Sequence, residues 1–277
     1  MNTLKKYMSM RSFPVAILAL VVMIAAGVLY PGHVSGSGFW GGLIIANFAR
    51  SILGVSAWLG NSYGLGIIAY TILIRLLILP LMVHQTESMI KMQEVAPELK
   101  KLQAKYPTRD QASMLAMQEE QRALYKKAGV NPFASFIPLL VQMPILMALY
   151  STIQSTSALQ NGTFLWVQLG GRDPYFILPV LAALFTFASS YLVMLGQPER
   201  NGMTTSMTFL MPIMIFIFAI NVPAVLSLYW VVSNAFQVVQ TWMLQNPFKI
   251  QASRQAKKEK ERQRQRAIRK AKRTHKR

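Results

Sequence analysis

Tyr63-Gly-Leu-Gly-Ile-Ile-Ala-Tyr70-Thr71-Ile-Leu-Ile-Arg75-Leu-Leu-Ile-Leu-Pro80-Leu-Met-Val83 is the stretch on which the fold turns. It contains a single charge, Arg75. Its apolar length matches the roughly 20 residues that carry a helix across a bilayer. Four more runs of this kind follow, at about 133–155, 175–195, 203–221 and 223–244. Pro138, Pro144 and Pro212 fall inside them, which membrane helices tolerate when neighbours satisfy the freed carbonyls. The pattern predicts an all-α polytopic membrane protein with a five-span helical core.

Composition agrees. The 277 residues are 53% hydrophobic and only 14% charged, yet the net charge is +19. Mean hydropathy is +0.32. These values reconcile because apolar and basic residues occupy different parts of the chain. Residues 249–277 hold fourteen Lys/Arg and only two acids, Glu259 and Glu261. A soluble enzyme, a secreted disulfide scaffold and a disordered chain are all poor descriptions of such a sequence. With no cysteine there is no disulfide framework, thiolate metal site, Cys nucleophile or lipidated N-terminal Cys.

Residues 1–36 fit two readings. Lys5, Lys6 and Arg11 precede an apolar stretch from Phe13 to Tyr30, and Val34-Ser35-Gly36 offers a cleavage site with small side chains. A signal peptide has this form, and so does an uncleaved anchor helix. Residues 37–62 read as an external amphipathic helix at the membrane interface. Phe39, Leu43, Ile44, Phe48, Ile52, Leu53, Val55 and Leu59 form one face, and Asn47, Arg50, Ser51 and Gly54 fall on another.

Orientation follows from where Lys and Arg fall. Assigning the N-terminus, the 85–131 loop, the 196–202 loop and the tail to the cytoplasm places 26 of the 29 basic residues there. Only Arg50 and Arg172 fall outside, and Arg75 within the membrane. After the first span (63–84), residues 85–131 read as a cytoplasmic helical hairpin. Tyr106-Pro107-Thr108 breaks it, Asp110 caps the second arm, and Ala128-Gly129 ends it. Met89, Met92, Leu99 and Leu102 are expected to face Met114, Leu115, Met117 and Leu124 across an apolar seam. Residues 132–246 supply the four further spans, and 247–277 a basic cytoplasmic tail.

Arg75 is the sharpest functional signal. It lies about eight residues, roughly 12 Å, from the cytoplasmic end of its span. Intramembrane charge costs several kcal/mol or more and normally faces protein or water. No Asp or Glu occurs in any of the five spans, so no carboxylate there can neutralise it. In the fifth span Trp230, Asn234, Gln237 and Thr241 share a face, with Tyr229, Ser233 and Gln240 alongside. Gln142, Ser189 and Ser190 add polar groups from two other spans. Singly, such residues serve as interhelical glue worth roughly 0.6 kcal/mol; beside an unpaired Arg, they suggest a hydrated intramembrane cavity.

The tail offers Lys257, Lys258, Arg262, Arg264, Arg266, Arg269, Lys270, Lys272 and Arg273 as contacts for a polyanion, either ribosomal RNA or anionic lipid. Few apolar groups drive it to pack, so disorder or a loose helix is expected of the free tail. Catalytic patterns are missing. His33, His84 and His275 are widely separated, and no HExxH, GxSxG, P-loop or intramembrane Asp pair occurs. The sequence therefore reads as non-enzymatic and without a cofactor or metal.

Four segments carry a resemblance: Thr71…Arg75…Pro80; the hairpin end Lys126-Lys127-Ala-Gly-Val-Asn-Pro132; Ile137-Pro-Leu-Leu-Val-Gln-Met-Pro-Ile145; and Leu228-Tyr-Trp-Val-Val-Ser-Asn234. Over about residues 40–246 the chain resembles the YidC/Oxa1/Alb3 membrane protein insertases. The lack of a large domain before the first span is similar to the Gram-positive bacterial branch. The resemblance implies a groove open to cytoplasm and lipid but closed outward, with Arg75 as its positive residue and Thr71, Tyr229 and Trp230 at its wall. It further implies a substrate-receiving hairpin and a ribosome-contacting tail. The implied partners are nascent membrane proteins, the ribosome, the Sec translocon and anionic lipids, at the bacterial cell membrane. Many Gram-positive members carry a lipobox Cys that this sequence lacks, which puts lipid anchoring out of reach here. The competing class, a channel or secondary transporter, predicts paired half-helices, an inverted repeat or several intramembrane charges. A peripheral scaffold would leave Arg75 unexplained.

Overall fold

The structure is a computed structural model that describes residues 12–30, 38–107, 110–197 and 202–274. Lys5, Lys6, Arg11, His33, the Val34-Ser35-Gly36 sequence, Arg109, Arg200 and His275 lie outside the described residues. The chain is helical almost throughout. In order come α1 (Phe13–Leu29), a π-helical turn (Phe39–Ile45) leading into α2 (Ala46–Trp58), and α3 (Tyr63–Lys105). Then follow α4 (Gln111–Ala128), a 3-10 turn (Pro132–Phe136), α5 (Ile137–Ser155) and the short α6 (Ser157–Gln160). The last helices are α7 (Ile177–Leu195), α8 (Gly202–Ala219), α9 (Ala224–Leu244) and α10 (Pro247–Thr274). Between α6 and α7, β1 (Thr163–Phe164) and β2 (Val167–Gln168) form a small antiparallel hairpin that the sequence pattern does not predict.

Phe39–Trp58, Tyr63–Lys105, Ile137–Ser155 and Ile177–Leu195 are long and apolar enough to cross a membrane, by length and composition. Phe13–Leu29 and Thr205–Ala219 are apolar but shorter. Helix α9 has the length, but Ser227, Ser233, Asn234, Gln237, Gln240 and Thr241 dilute its hydropathy. Large side chains on α5 (Leu139, Leu140, Met143, Met147) and α8 (Phe209, Leu210, Ile213, Ile217, Phe218) are exposed. Such continuous apolar surface is a lipid-facing belt.

Helices α1 and α2 approach closely through small residues. Ala16, Ala19 and Ala26 are the buried positions of α1, while Leu18, Val21 and Val28 point outward. A Cβ at Gly54 would lie 2.0 Å from the Ala26 carbonyl oxygen, and one at Gly27 would lie 2.9 Å from Ser51 Oγ. Ser51 and Gly54, grouped by sequence with the polar side of an interfacial helix, are therefore buried. Their small size lets the two helices approach, and the Ser51 hydroxyl also hydrogen-bonds with Tyr70. Because Phe39–Trp58 is also long enough to span, its interfacial placement is an expectation that the fold leaves open.

Helix α3 joins the first span to the hairpin without a break. Ser62 caps it through Leu65 N, and 43 residues carry it to Lys105, with Pro80 and Pro97 inside. Asp110 Oδ2 accepts from Ser113 N at 3.2 Å to start α4, and Gly129 at φ 63° ends it. Near its turn the hairpin is held by Glu120, which accepts from Lys105 Nζ and from Tyr106 Oη at 2.8 Å. Met89, Met92, Leu99, Leu102, Met117 and Leu124 are partly buried, whereas Met114 and Leu115 are exposed. The predicted seam is accordingly narrower than drawn, because Met114 and Leu115 fall on the outward side of α4.

The main core lies at one end of the bundle. Ile67, Tyr70 and Ile74 of α3, Leu149 and Ile153 of α5, and Val225, Leu228 and Tyr229 of α9 meet there. Leu159, Val167 and Leu169 from the 156–176 segment complete it, each no more than 2% exposed. That segment thus plugs the bundle end rather than looping over it. Asp173, 5% exposed, organises the plug. Its carboxylate accepts from Trp166 Nε1 (2.9 Å), Tyr175 N (3.1 Å) and Leu178 N (2.7 Å). Leu178 N lies in the first turn of α7, where a negative group offsets the helix dipole, and Tyr175 N just precedes the Phe176 cap. Ala224 N and Val225 N donate to the Gly171 and Leu169 carbonyls, tying the plug to α9.

Candidate functional site

Arg75 lies on α3 one turn beyond Thr71, on the side of the helix that faces α9. It is 8% exposed, and its Nε has no hydrogen-bond partner. Among the described residues no carboxylate pairs with it, and Tyr229 of α9 is the group that interacts with it electrostatically. Tyr229 is 2% exposed and accepts a hydrogen bond from Gln142 Nε2 of α5 at 3.0 Å. Three helices therefore bring one cation, one phenol and one amide together. A buried guanidinium without a carboxylate partner is costly for folding.

The other sequence candidates distribute unevenly. Thr71, 2% exposed, donates its hydroxyl proton to the Ile67 carbonyl at 2.6 Å within its own helix. Trp230 is half-buried against the main core. Asn234 points elsewhere: its Nδ2 donates to Thr186 Oγ1 at 2.7 Å and to the Ala182 carbonyl at 3.3 Å, joining α9 to α7. Gln237 Nε2 donates to Thr241 Oγ1 at 3.3 Å. Both line a cavity of about 220 Å³ between α7, α8 and α9, with Ser189, Ser190, Val193, Met207, Thr208 and Met211. The polar face of α9 thus serves two compartments. Its N-terminal part, through Tyr229, meets Arg75 and Gln142, while its C-terminal part, through Gln237 and Thr241, meets the cavity.

Further buried polar oxygens, Ser233 Oγ and Gln240 Oε1, have no protein partner. Among the described residues, helices α5 and α8 make no substantial contact with each other. The end opposite the plug carries the hairpin and the tail. Sequence reasoning missed Asp173 as the organiser of the plug, although it is the lone acid between Glu120 and Glu199. Among the described residues no group of three or more metal-capable side chains occurs.

The tail is helical, as α10, over Pro247–Thr274. Arg262, Arg264 and Arg266 are exposed on it. The side chains of Lys257, Lys258, Arg269, Lys270, Lys272 and Arg273 lie outside the described ones.

Similarity to known proteins runs along nearly the whole chain. It is 56% identical over 256 residues to "Membrane protein insertase YidC 2" of Lactiplantibacillus plantarum, covering 92% of each. It is 49% identical to "Membrane protein insertase YidC" of Pediococcus pentosaceus, over 93% of this chain and 91% of that one. A further relative, "Membrane protein insertase MisCA" of Bacillus subtilis, is 45% identical over 82% of this chain and 88% of its own length. Among solved structures, a crystal structure of an active YidC insertase with its first transmembrane domain resolved superposes with a TM-score of 0.59. At 24% identity that likeness speaks for the fold alone; it covers 84% of this chain, which spans about half (51%) of the solved one. The family model of the 60Kd inner membrane protein matches residues 54–253, and with these relatives the chain belongs to that family, YidC/Oxa1/Alb3.

Proposed function

We propose that this protein is a membrane protein insertase of the bacterial cell membrane. In this reading it moves polar outer segments of nascent membrane proteins part-way through the bilayer and releases apolar segments into lipid. The observation that carries the mechanism is Arg75, a buried cation without a carboxylate partner among the described residues, in a bundle whose far end is plugged. An ionised group costs several kcal/mol to place in hydrocarbon. A fixed cation beside polar side chains attracts acidic segments and shortens the apolar path that remains. The apolar segment then leaves between α5 and α8, where its burial in lipid is favourable. Partition supplies the drive, so no nucleotide is required.

The hairpin is the element that receives the substrate, and the exposed arginines of α10 are contacts for ribosomal RNA or anionic lipid. Docking beside the Sec translocon is a further role in keeping with this reading. The distribution of Lys and Arg supports cytoplasmic placement of hairpin and tail. The decisive experiment places the purified protein in nucleotide-free liposomes and follows insertion of a single-span substrate alongside ion conductance. Insertion without conductance is expected. Conductance without insertion would favour the channel reading instead.

A further inference from the structure

The junction between α9 and α10 is built, not left slack. Pro247 is fully buried and Gln245 is 8% exposed. Asn246 Oδ1 accepts from Phe248 N (3.1 Å) and Lys249 N (3.3 Å), capping the start of α10. One turn later Gln251 Nε2 donates to the Leu195 carbonyl at 2.6 Å, and Arg254 Nη1 donates to the Gly196 carbonyl. Those two carbonyls are the end of α7, where the helix leaves acceptors unfilled and its dipole favours a cation. Ile250 packs over Gly196.

Arg254 differs from the rest of the arm. Lys249, Lys260, Arg262, Arg264 and Arg266 are exposed, whereas Arg254 is partly buried with its Nη2 enclosed. Burial lowers its pKa from the ordinary guanidinium value, and the charge of Glu94, on the hairpin arm of α3, opposes that shift. A residue placed this way is poorly presented to an outside polyanion. What it touches is α7, which carries Ser189, Ser190 and Val193 into the cavity wall within about two turns of Gly196.

We propose that Gln251 and Arg254 form a joint that docks the basic arm onto the end of α7, so that engagement of the arm is transmitted to the cavity wall. Arg254 is then a positioning residue, not a polyanion contact. The inference rests on the insertase reading and on the arm as the site of ribosome engagement. It adds how that engagement reaches the intramembrane compartment.

The test uses the full chain in phosphatidylglycerol-containing liposomes, with spin labels on cysteines introduced at the exposed Tyr191 of α7 and Gln263 of α10. The absence of native cysteines makes the labelling clean. The parent should give one narrow distance distribution, broadened in a Gln251→Ala/Arg254→Ala variant and restored when Arg254→Lys alone is made. Ribosome co-sedimentation of the double variant should stay at the parent's level while insertion of ribosome-bound nascent chains falls. An unchanged distance distribution overturns the joint. So does a parallel loss of co-sedimentation and insertion, which would make Arg254 a contact. Truncation after Phe248 tests the underlying reading separately. If it leaves co-sedimentation intact, ribosome engagement by the arm fails, whereas docking is judged by the distances alone.

Discussion

Asp173 is expected to hold the plug shut, and its replacement should be legible at a single peptide bond. The carboxylate accepts three hydrogen bonds at 2.7–3.1 Å, from Leu178 N in the first turn of α7, from Tyr175 N just before it and from the Trp166 indole. Hydrogen bonds to a charged group contribute about 1.5–3 kcal/mol each, though such terms do not add fully. Asp173→Ala strands three donors and removes the charge at the helix start, for an overall cost of about 3–4 kcal/mol. Asp173→Asn keeps one acceptor oxygen and should cost about half of that. Arg172, exposed, is the only Lys or Arg in the whole 128–199 stretch, so trypsin has one site near the plug. Both variants remove the acidic residue that follows the scissile bond, so their ratio isolates the hold on the segment. Cleavage tracks the open population when opening is fast. A difference of about 1.5 kcal/mol then makes the Ala variant about tenfold faster to cut than the Asn variant. Equal, slow cleavage of both would refute the claim that Asp173 fastens the plug.

Three further outcomes follow from the same geometry. Gly54→Ala should drive α1 and α2 apart, because its Cβ would meet the Ala26 carbonyl at 2.0 Å; a loss of about 1–3 kcal/mol should appear in thermal unfolding. Near the hairpin turn, Lys105 holds the Glu120 carboxyl below its usual range, and Glu120 holds the Lys105 ammonium above its own. Closure should therefore weaken as pH falls through Glu120's lowered value and again as it rises through Lys105's raised one, and Glu120→Gln should abolish the acidic limb in a tip-distance measurement. Cysteines at Leu115 and Leu165, both exposed, should label from the cytoplasmic and the outer side respectively; reversed labelling would overturn the orientation.

Local signals explain what could be read in advance. The helical first span, the helical arm that follows it, the Asp110 cap and the Gly129 stop are written in neighbouring residues, and a charge inside an apolar run shows wherever it packs. That the span and the arm form one unbroken helix is not written there. Asp173 was not legible, because its role depends on a turn in which Leu165 and Phe176 adopt positive φ (54° and 57°). Helical spacing placed Asn234, Gln237 and Thr241 on one face but could not say that α7 and α8 would meet it. The docked root of α10 was hidden for the same reason. Its acceptors, the Leu195 and Gly196 carbonyls, lie over fifty residues away. Small residues such as Ser51 and Gly54 misled because tight helix contact and polar exposure draw on the same residue types.

The central claim is that Arg75 acts as a fixed cation for acidic segments and not as a structural strut. Its most direct test is insertion of a substrate with an acidic outer segment by Arg75→Lys, Arg75→Ala and Arg75→Glu proteins in liposomes, with protein levels followed in parallel. The Lys protein should retain much of the activity, because a point charge still attracts acids and water. The Ala protein should remain folded, since its loss orphans no partner carboxylate among the described residues, yet lose most insertion. The Glu protein should be worse still, through like-charge repulsion. An Arg75→Ala protein that inserts acidic substrates at the parent's rate would contradict the account.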